Sequence, residues 1–125
     1  MLLGVLLIAS IPVALAAEEG SRELANALVD ASDKVLIEQG VCKDKKDCVA
    51  KELVFFEAER RDSVYLSLYN VRNASAIEKI VSICLQKYEE NQRKKTIVLS
   101  VWDKPHREYG LWKGSPSIEV RFKGE

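Results

Sequence analysis

Three cysteines and a single histidine are the most reactive side chains in this sequence. Cys42 and Cys48 enclose five residues, all of them charged, so a bond between them would close a solvated loop of seven residues. The loop-entropy model gives such a bond a stabilisation of about 2–2.5 kcal/mol. Zinc sites prefer shorter spacings and a second pair of ligands. The spacing therefore predicts a disulfide between Cys42 and Cys48, with free thiols and a metal site as the alternatives; we predict no metal and no cofactor.

The third cysteine, Cys84, falls in the middle of an apolar stripe with helical spacing. A catalytic thiol needs an accessible and electropositive environment, which is the opposite of an apolar helix face. We therefore expect Cys84 to be a small buried hydrophobic residue that stays unpaired.

His106 has only Asp103 and Glu108 as carboxylate neighbours in the sequence. A hydrolase that uses His106 with one of these two carboxylates is the enzymatic alternative. Glu57 and Glu59 could do acid and base chemistry on a sugar, but they flank a charged turn. The chain contains no nucleophile elbow, no phosphate-binding glycine loop and no zinc-binding helix motif. We therefore do not predict an enzyme.

Residues 103–116 form a connection of fourteen residues with an unusual composition. Connections of this length in compact domains are often functional. Arginine, tyrosine and tryptophan are enriched at the hot spots of protein interfaces, and this loop contains all three. The alternative is that its large apolar side chains fold back over the end of the core. The predicted partner-binding residues are His106, Arg107, Tyr109, Leu111 and Trp112.

Apolar periodicity gives the elements that must position these residues. Helices are predicted over 21–39 and from residue 75 onwards, and strands over 51–58, 63–71, 96–102 and 117–123. We expect the first two strands to form a hairpin and the first of them to be covered on both faces. The order α-β-β-α-β-β predicts an α+β two-layer sandwich: two helices on one face of a mainly antiparallel four-stranded sheet.

Two helix ends carry local signals. Gly40 stands where a glycine commonly ends a helix, so the first helix should stop just before it. Ser75 and Glu78 match the capping box that starts a helix. On the first helix, Asp30 and Asp33 are expected to face water.

The first sixteen residues contain no charge and end in small residues around Ala16, a pattern typical of a cleaved signal peptide. An uncleaved membrane anchor is the alternative, but the run is short for a spanning helix. Cleavage would leave 17–125 as a single small domain. The protein is then exported: periplasmic in a Gram-negative bacterium, otherwise secreted, with no stable membrane span. Export also favours the disulfide.

The charge balance restricts the partners. Nineteen basic and nineteen acidic side chains give a formal net charge of zero, which is not typical of nucleic-acid-binding proteins. We therefore expect a small exported binding protein, similar in size to inhibitors and immunity proteins, that contacts a protein partner in the envelope through residues 103–116. A structural or assembly subunit that pairs through a sheet edge is the remaining alternative.

Overall fold

The computed structural model describes the backbone of residues 12–57, 62–102, 107–108, 111–112 and 115–125, and the side chains of 21–56, 62–102 and 115–125. Its helices and strands, in chain order, are α1 (Pro12–Glu38), α2 (Lys45–Ala50), β1 (Val54–Glu57), β2 (Ser63–Tyr69), α3 (Ala74–Glu90), β3 (Thr96–Trp102), β4 (Arg107–Glu108), β5 (Leu111–Trp112) and β6 (Ile118–Phe122).

Helix α1 is longer than predicted and begins at Pro12, upstream of the predicted cleavage site. Its end is as predicted. Gly40 has a positive φ of 74°, and the amide of Val41 donates to the Leu36 carbonyl at 2.8 Å. This 6→1 bond through a left-handed glycine terminates the helix. The predicted removal of residues 1–16 stays a prediction.

The short helix α2 begins inside the charged loop between Cys42 and Cys48 and continues to Ala50, and the sequence pattern did not predict it. The Asp44 side chain caps this helix by accepting from the amide of Asp47 at 2.8 Å. The Asp47 carboxylate accepts from the Lys43 amide at 2.8 Å and forms an ion pair with Lys51. These contacts lower the pKa of Asp47, the Lys43 bond most. These local hydrogen bonds thus give residues 43–51 a defined helical structure, although the segment is highly charged and exposed to solvent.

The predicted hairpin is confirmed, since β1 and β2 pair antiparallel with Phe56 opposite Leu66. Strand β1 is shorter than predicted. It is also not covered on both faces, because Phe56 is exposed and Phe55 is only half-buried. An edge strand has a neighbour on one side only, so its large side chains retain solvent contact.

The α+β fold is confirmed, but the sheet is mixed. Its strand order is β1-β2-β3-β6, and the central pair β2 and β3 runs parallel, with Leu66 opposite Leu99. The prediction of a mainly antiparallel sheet is wrong for this pair. Helix α3 crosses over the sheet between the two strands, and a crossover of this kind returns the chain in the same direction. The outer pairs β1–β2 and β3–β6 are antiparallel.

The two long helices cover one face of the sheet, α1 over β1 and β2, and α3 over β3 and β6. Alternate residues of the two central strands point to this face and are fully buried. They are Val64, Leu66 and Leu68 on β2, and Ile97, Leu99 and Val101 on β3. With Leu28 and Leu36 of α1 and with Ile80 and Cys84 of α3, they form one continuous core. Burial of this apolar surface is the main force that holds the layers together.

Helix α3 starts earlier than the capping-box pattern predicts. Asn73 is the N-cap residue, and its side-chain oxygen accepts from the Ala76 amide at 3.0 Å. Ser75 lies one residue inside the helix and is exposed. Asparagine and serine are similarly good caps, so a sequence that contains both two residues apart is ambiguous.

Candidate functional site

The loop predicted to bind a partner contains a small hairpin. The backbones of β4 and β5 pair antiparallel, Arg107 opposite Trp112 and Glu108 opposite Leu111. This places two of the predicted binding positions directly across from each other. His106 and Tyr109 lie outside the described residues, as do the side chains of the other three predicted binding residues. Their role in binding therefore stays a prediction.

Both ends of this loop are fixed at one end of the sheet. The loop leaves β3 after Trp102 and returns just before β6. The amide and hydroxyl of Ser117 both donate to the Val101 carbonyl, at 2.8 and 3.0 Å. Because β2 and β3 are parallel, the segment that follows β2 lies at this same end of the sheet. Ligand sites in sheets with parallel strands often occupy the carboxyl end of the strands.

On the face away from the helices, three aromatic rings form a row across this end of the sheet. Phe55 meets Tyr69 edge-on with ring centroids 5.3 Å apart, and Tyr69 stacks with Trp102 at 6.1 Å. Tyr69 is buried, while the two outer rings are half-buried. These are favourable aromatic geometries, so the row makes a rigid base from which the loop departs.

On the helix-covered face, the same end of the sheet opens into a groove of about 380 Å³. The groove is mainly apolar, and Ile118, at its edge, is 41% exposed. Arg72 and Glu78 add charge at the rim. The lining residues are Val71, Arg72, Ala74, Ile77, Glu78, Val101, Ser117 and Ile118. An apolar groove with a charged rim suits an apolar side chain presented by a polar partner.

The sequence did not point to this groove, because its lining comes from three separated segments: 71–78, Val101 and 117–118. One signal was present. Strand β6 alternates apolar and charged residues. Its first apolar residue, Ile118, directly follows the long loop, at the end of the sheet that the helices do not cover. A loop-flanking isoleucine at the start of an edge strand is a candidate for exposure.

Cys84 is not available for nucleophilic chemistry. Cys84 is buried and unpaired, as predicted, and burial raises the pKa of its thiol to about 12. A thiol of that pKa is protonated at neutral pH and is not a nucleophile. The hydrolase alternative depends on His106 and on a carboxylate at 103 or 108, whose side chains lie outside the described residues.

The disulfide lies just before the start of β1, at the same end of the sheet as the groove but beside the other edge strand, since the Tyr69 amide donates to the Leu53 carbonyl at 2.9 Å. Cys42 and Cys48 are bonded, as predicted, with Cα atoms 5.3 Å apart, and both are buried. The bond anchors α2 beneath the end of α1, so it fixes how the chain enters β1. Nothing in this region brings together three metal-binding side chains, and the same holds for all described side chains.

Asp33 is buried, so the prediction that it faces water is wrong. It is only 4% exposed, and neither its Oδ2 nor the Ser32 hydroxyl has a hydrogen-bond partner among the described residues. Burial raises the pKa of Asp33; nearby Lys45 opposes this shift, and Asp30 adds to it. Asp33 lies three residues before Leu36 and so shares its side of the helix, a spacing that could have revealed the burial.

Comparison of the chain with models of known protein families, with curated proteins and with solved structures gives no match. Among the described residues, no helix combines the length and apolar character needed to cross a membrane. The function must therefore be argued from the end of the sheet where the loop, the groove and the aromatic row meet.

Proposed function

We propose that this protein is a small exported binding protein that holds a protein partner at the end of its sheet. The binding surface would combine residues 103–116 with the adjoining groove. The observation that carries the proposal is the exposure of Ile118, 41%, beside an apolar groove of about 380 Å³ at the base of that loop.

The chemistry of the groove suggests what it would hold. Its floor is aliphatic, with Ile77 and Val101 among the lining residues, so an apolar side chain of the partner would lose its water shell on entry. Arg72 and Glu78 carry opposite charges at the rim, which suits a polar protein surface better than a uniformly charged polymer. The zero formal net charge agrees with this preference.

The rigidity of the surroundings supports a binding role. Ser117 ties the returning end of the loop to β3, and the ring of Trp102 stacks on the buried Tyr69 where the loop departs. A preformed surface loses less conformational entropy on binding than a flexible one. The proposal that the protein is exported rests on the uncharged N-terminal segment. The Cys42–Cys48 disulfide is compatible with an oxidising compartment.

The test is capture of a partner from envelope extract by the tagged exported protein, followed by affinity measurement with the purified partner. Ile118→Asp places a charge at the groove, and Trp112→Ala removes an aromatic residue from the loop. Each should weaken binding by at least about tenfold, as hot-spot truncations do. Val49→Asp is the matched control, since Val49 is 65% exposed on α2, beside the opposite edge strand β1, and does not line the groove.

Unfolding curves of the three variants separate loss of binding from loss of fold. The proposal requires that the two site variants bind weakly while they melt within a few degrees of the parent protein. Unchanged affinity in both Ile118→Asp and Trp112→Ala would contradict it. Equal loss in Val49→Asp would show that capture was unspecific.

A further inference from the structure

Strand β6 forms one edge of the sheet, and no strand in the described part of the chain pairs with its outer side. Its alternation is regular: Ile118, Val120 and Phe122 point to the helix side, while Glu119 and Arg121 point to the opposite side and are exposed. An edge strand offers a row of unused backbone donors and acceptors to another strand.

We propose that two copies of this protein pair through β6, antiparallel, about a two-fold axis that passes beside Val120. The two sheets then join into one of eight strands. In this register Ile118 lies opposite the second copy's Phe122, and Val120 lies opposite its own equivalent. The axis makes the contact self-complementary, as a closed dimer requires.

Charge selects this register. Glu119 lies opposite the second copy's Arg121, and by symmetry Arg121 lies opposite the second copy's Glu119. Within one chain these two side chains already form an ion pair at 3.6 Å, with about half of each side chain exposed. The dimer therefore brings together four charges that alternate in sign across the two strands. Opposite charges directly across a strand pair are stabilising, and like charges are not.

Helix α3 supplies a second argument, independent of the charges. Ile77, Val81, Leu85 and Tyr88 follow one another at helical spacing. This stripe runs above β6, since Ile77 shares the groove with Ile118 and the ring of Tyr88 packs on Phe122 at 5.6 Å. A two-fold axis perpendicular to the sheet places the helices of both copies on the same face of the joined sheet. The apolar stripe of α3 in one copy therefore approaches the same stripe in the other copy. Leu85, 44% exposed in one chain, would be covered.

The opposite edge of the sheet lacks these features. Strand β1 has four residues, and Glu57 is its only charged one. Antiparallel pairing of β1 with its own copy, about an axis beside Phe55 or Phe56, would place Glu57 opposite Leu53 or Phe55 and leave its charge without a counterpart. Self-pairing is therefore assigned to β6. This inference goes beyond the binding function proposed above, and Glu119 and Arg121 do not line the groove.

Sedimentation equilibrium of the exported protein, from micromolar to millimolar concentration, tests the proposal. We expect a reversible dimer with a micromolar dissociation constant, because a five-residue strand pair with one helix contact is a small interface. Arg121→Glu and Glu119→Arg should each weaken the dimer by about tenfold or more, since each places like charges opposite one another twice. The double variant restores opposite charges and should return the dissociation constant to within about threefold of the parent value.

Two controls make the result specific. Lys34→Glu changes the net charge by the same amount as Arg121→Glu on an exposed site of α1, and it should leave the dimer unchanged. A monomer at every concentration overturns the proposal. So does a dimer in which the single charge variants have no effect or the double variant is not restored.

Cysteine cross-linking tests the register itself. At the axis, Val120 and its equivalent would have Cα atoms roughly 5 Å apart, within disulfide range, so Val120→Cys should give a covalent dimer on mild oxidation. Lys123→Cys should not, because the two positions would be roughly 20 Å apart. Cross-linking through position 123 but not 120 would overturn the register.

Discussion

The two halves of the chain have the same order of elements, a long helix followed by two antiparallel strands, but they are stabilised differently. The first half, α1 to β2, contains the disulfide and the buried carboxyl group of Asp33. The second half, α3 to β6, has no disulfide; its helix presents Ala76, Ile80 and Cys84 to the core. The candidate binding groove lies in the second half together with the segment that leads into it.

The difference separates two ways to hold an edge of a sheet. At the β1 edge, a covalent bond and a capped short helix fix the entering chain. At the β6 edge, packing and hydrogen bonds do this work: the Tyr88 hydroxyl donates to the Lys123 carbonyl at 2.6 Å, and the Gly124 amide donates to the Thr96 hydroxyl at 2.8 Å. The β6 edge can therefore stay open for a partner while its register is fixed from the other side.

The largest effect should come from the packing that joins the halves. Ile80→Ala should lower the free energy of unfolding by about 2–5 kcal/mol, because Ile80 is fully buried and its loss leaves a cavity. Urea unfolding monitored by circular dichroism and by tryptophan fluorescence gives the value. The two signals should coincide, since one core spans both halves. Separate transitions would show that the halves unfold independently.

The disulfide should come next. Replacing Cys42 and Cys48 together by serine should lower the free energy of unfolding by about 2 kcal/mol, the loop-closure entropy of a seven-residue loop. Urea unfolding with and without reductant measures it. The reduced parent protein should match the serine variant, and reductant should not affect the variant. A loss below about 0.5 kcal/mol would mean that α2 is held by its own contacts and not by the bond.

The cap of α3 is a smaller and sharper test. Asn73→Ala should cost about 1 kcal/mol, because it removes the acceptor for the Ala76 amide. Ser75→Ala is the control suggested by the sequence pattern and should change stability by less than about 0.5 kcal/mol. Thermal unfolding compares the two variants. If Ser75→Ala proves the costlier change, the helix begins where the capping box predicted.

Replacement of Asp33 should have the smallest effect on the free energy of unfolding, and it should raise this free energy instead of lowering it. Burial raises the pKa of Asp33 in the folded protein, so folding takes up a proton at pH values between the unfolded and the folded pKa. Stability therefore falls as the pH rises through that window, and the penalty is complete once the pH exceeds the folded pKa. Asp33→Asn removes the charge and should stabilise the protein at pH 7 by about 1 kcal/mol.

The pH profile distinguishes this mechanism from a general effect of charge. The gain from Asp33→Asn should shrink as the pH is lowered towards 4, because the parent carboxyl then becomes protonated. Glu23→Gln is the matched control: Glu23 is exposed on the same helix and is not among the groups that raise the pKa of Asp33, so its replacement should not stabilise the protein. A gain for Asp33→Asn that is constant down to pH 4 would contradict the burial argument.

Several features could be predicted because their causes are local. The Cys42–Cys48 bond depends on a spacing of six residues. The end of α1 depends on the conformational freedom of a single residue, Gly40, and the β1–β2 pairing depends on a short connection. Asp33 shows the limit of this reasoning. Its polar side chain favours a solvated helix face, whereas its spacing to Leu36 favours burial, and the position of α2 and of the core decides between the two.

The direction of the central strands was predicted wrongly for a similar reason. An alternating strand such as β2 looks the same in parallel and antiparallel pairing. The continuous apolar run Ile97–Val98–Leu99 in β3 is typical of parallel strands and was the available hint. The choice depends on where α3 returns the chain, which is a property of long-range packing.

By itself, the sequence determined the two long helices, the four main strands, the disulfide and the long loop, because these follow from propensity, periodicity and short loop closure within a few residues. The tertiary structure alone decided which strands pair beyond the β1–β2 hairpin, which edge stays open, and where the groove lies. Those features join residues as far apart as Val71 and Ile118. They form only when the helices cover one face of the sheet and leave its carboxyl end uncovered.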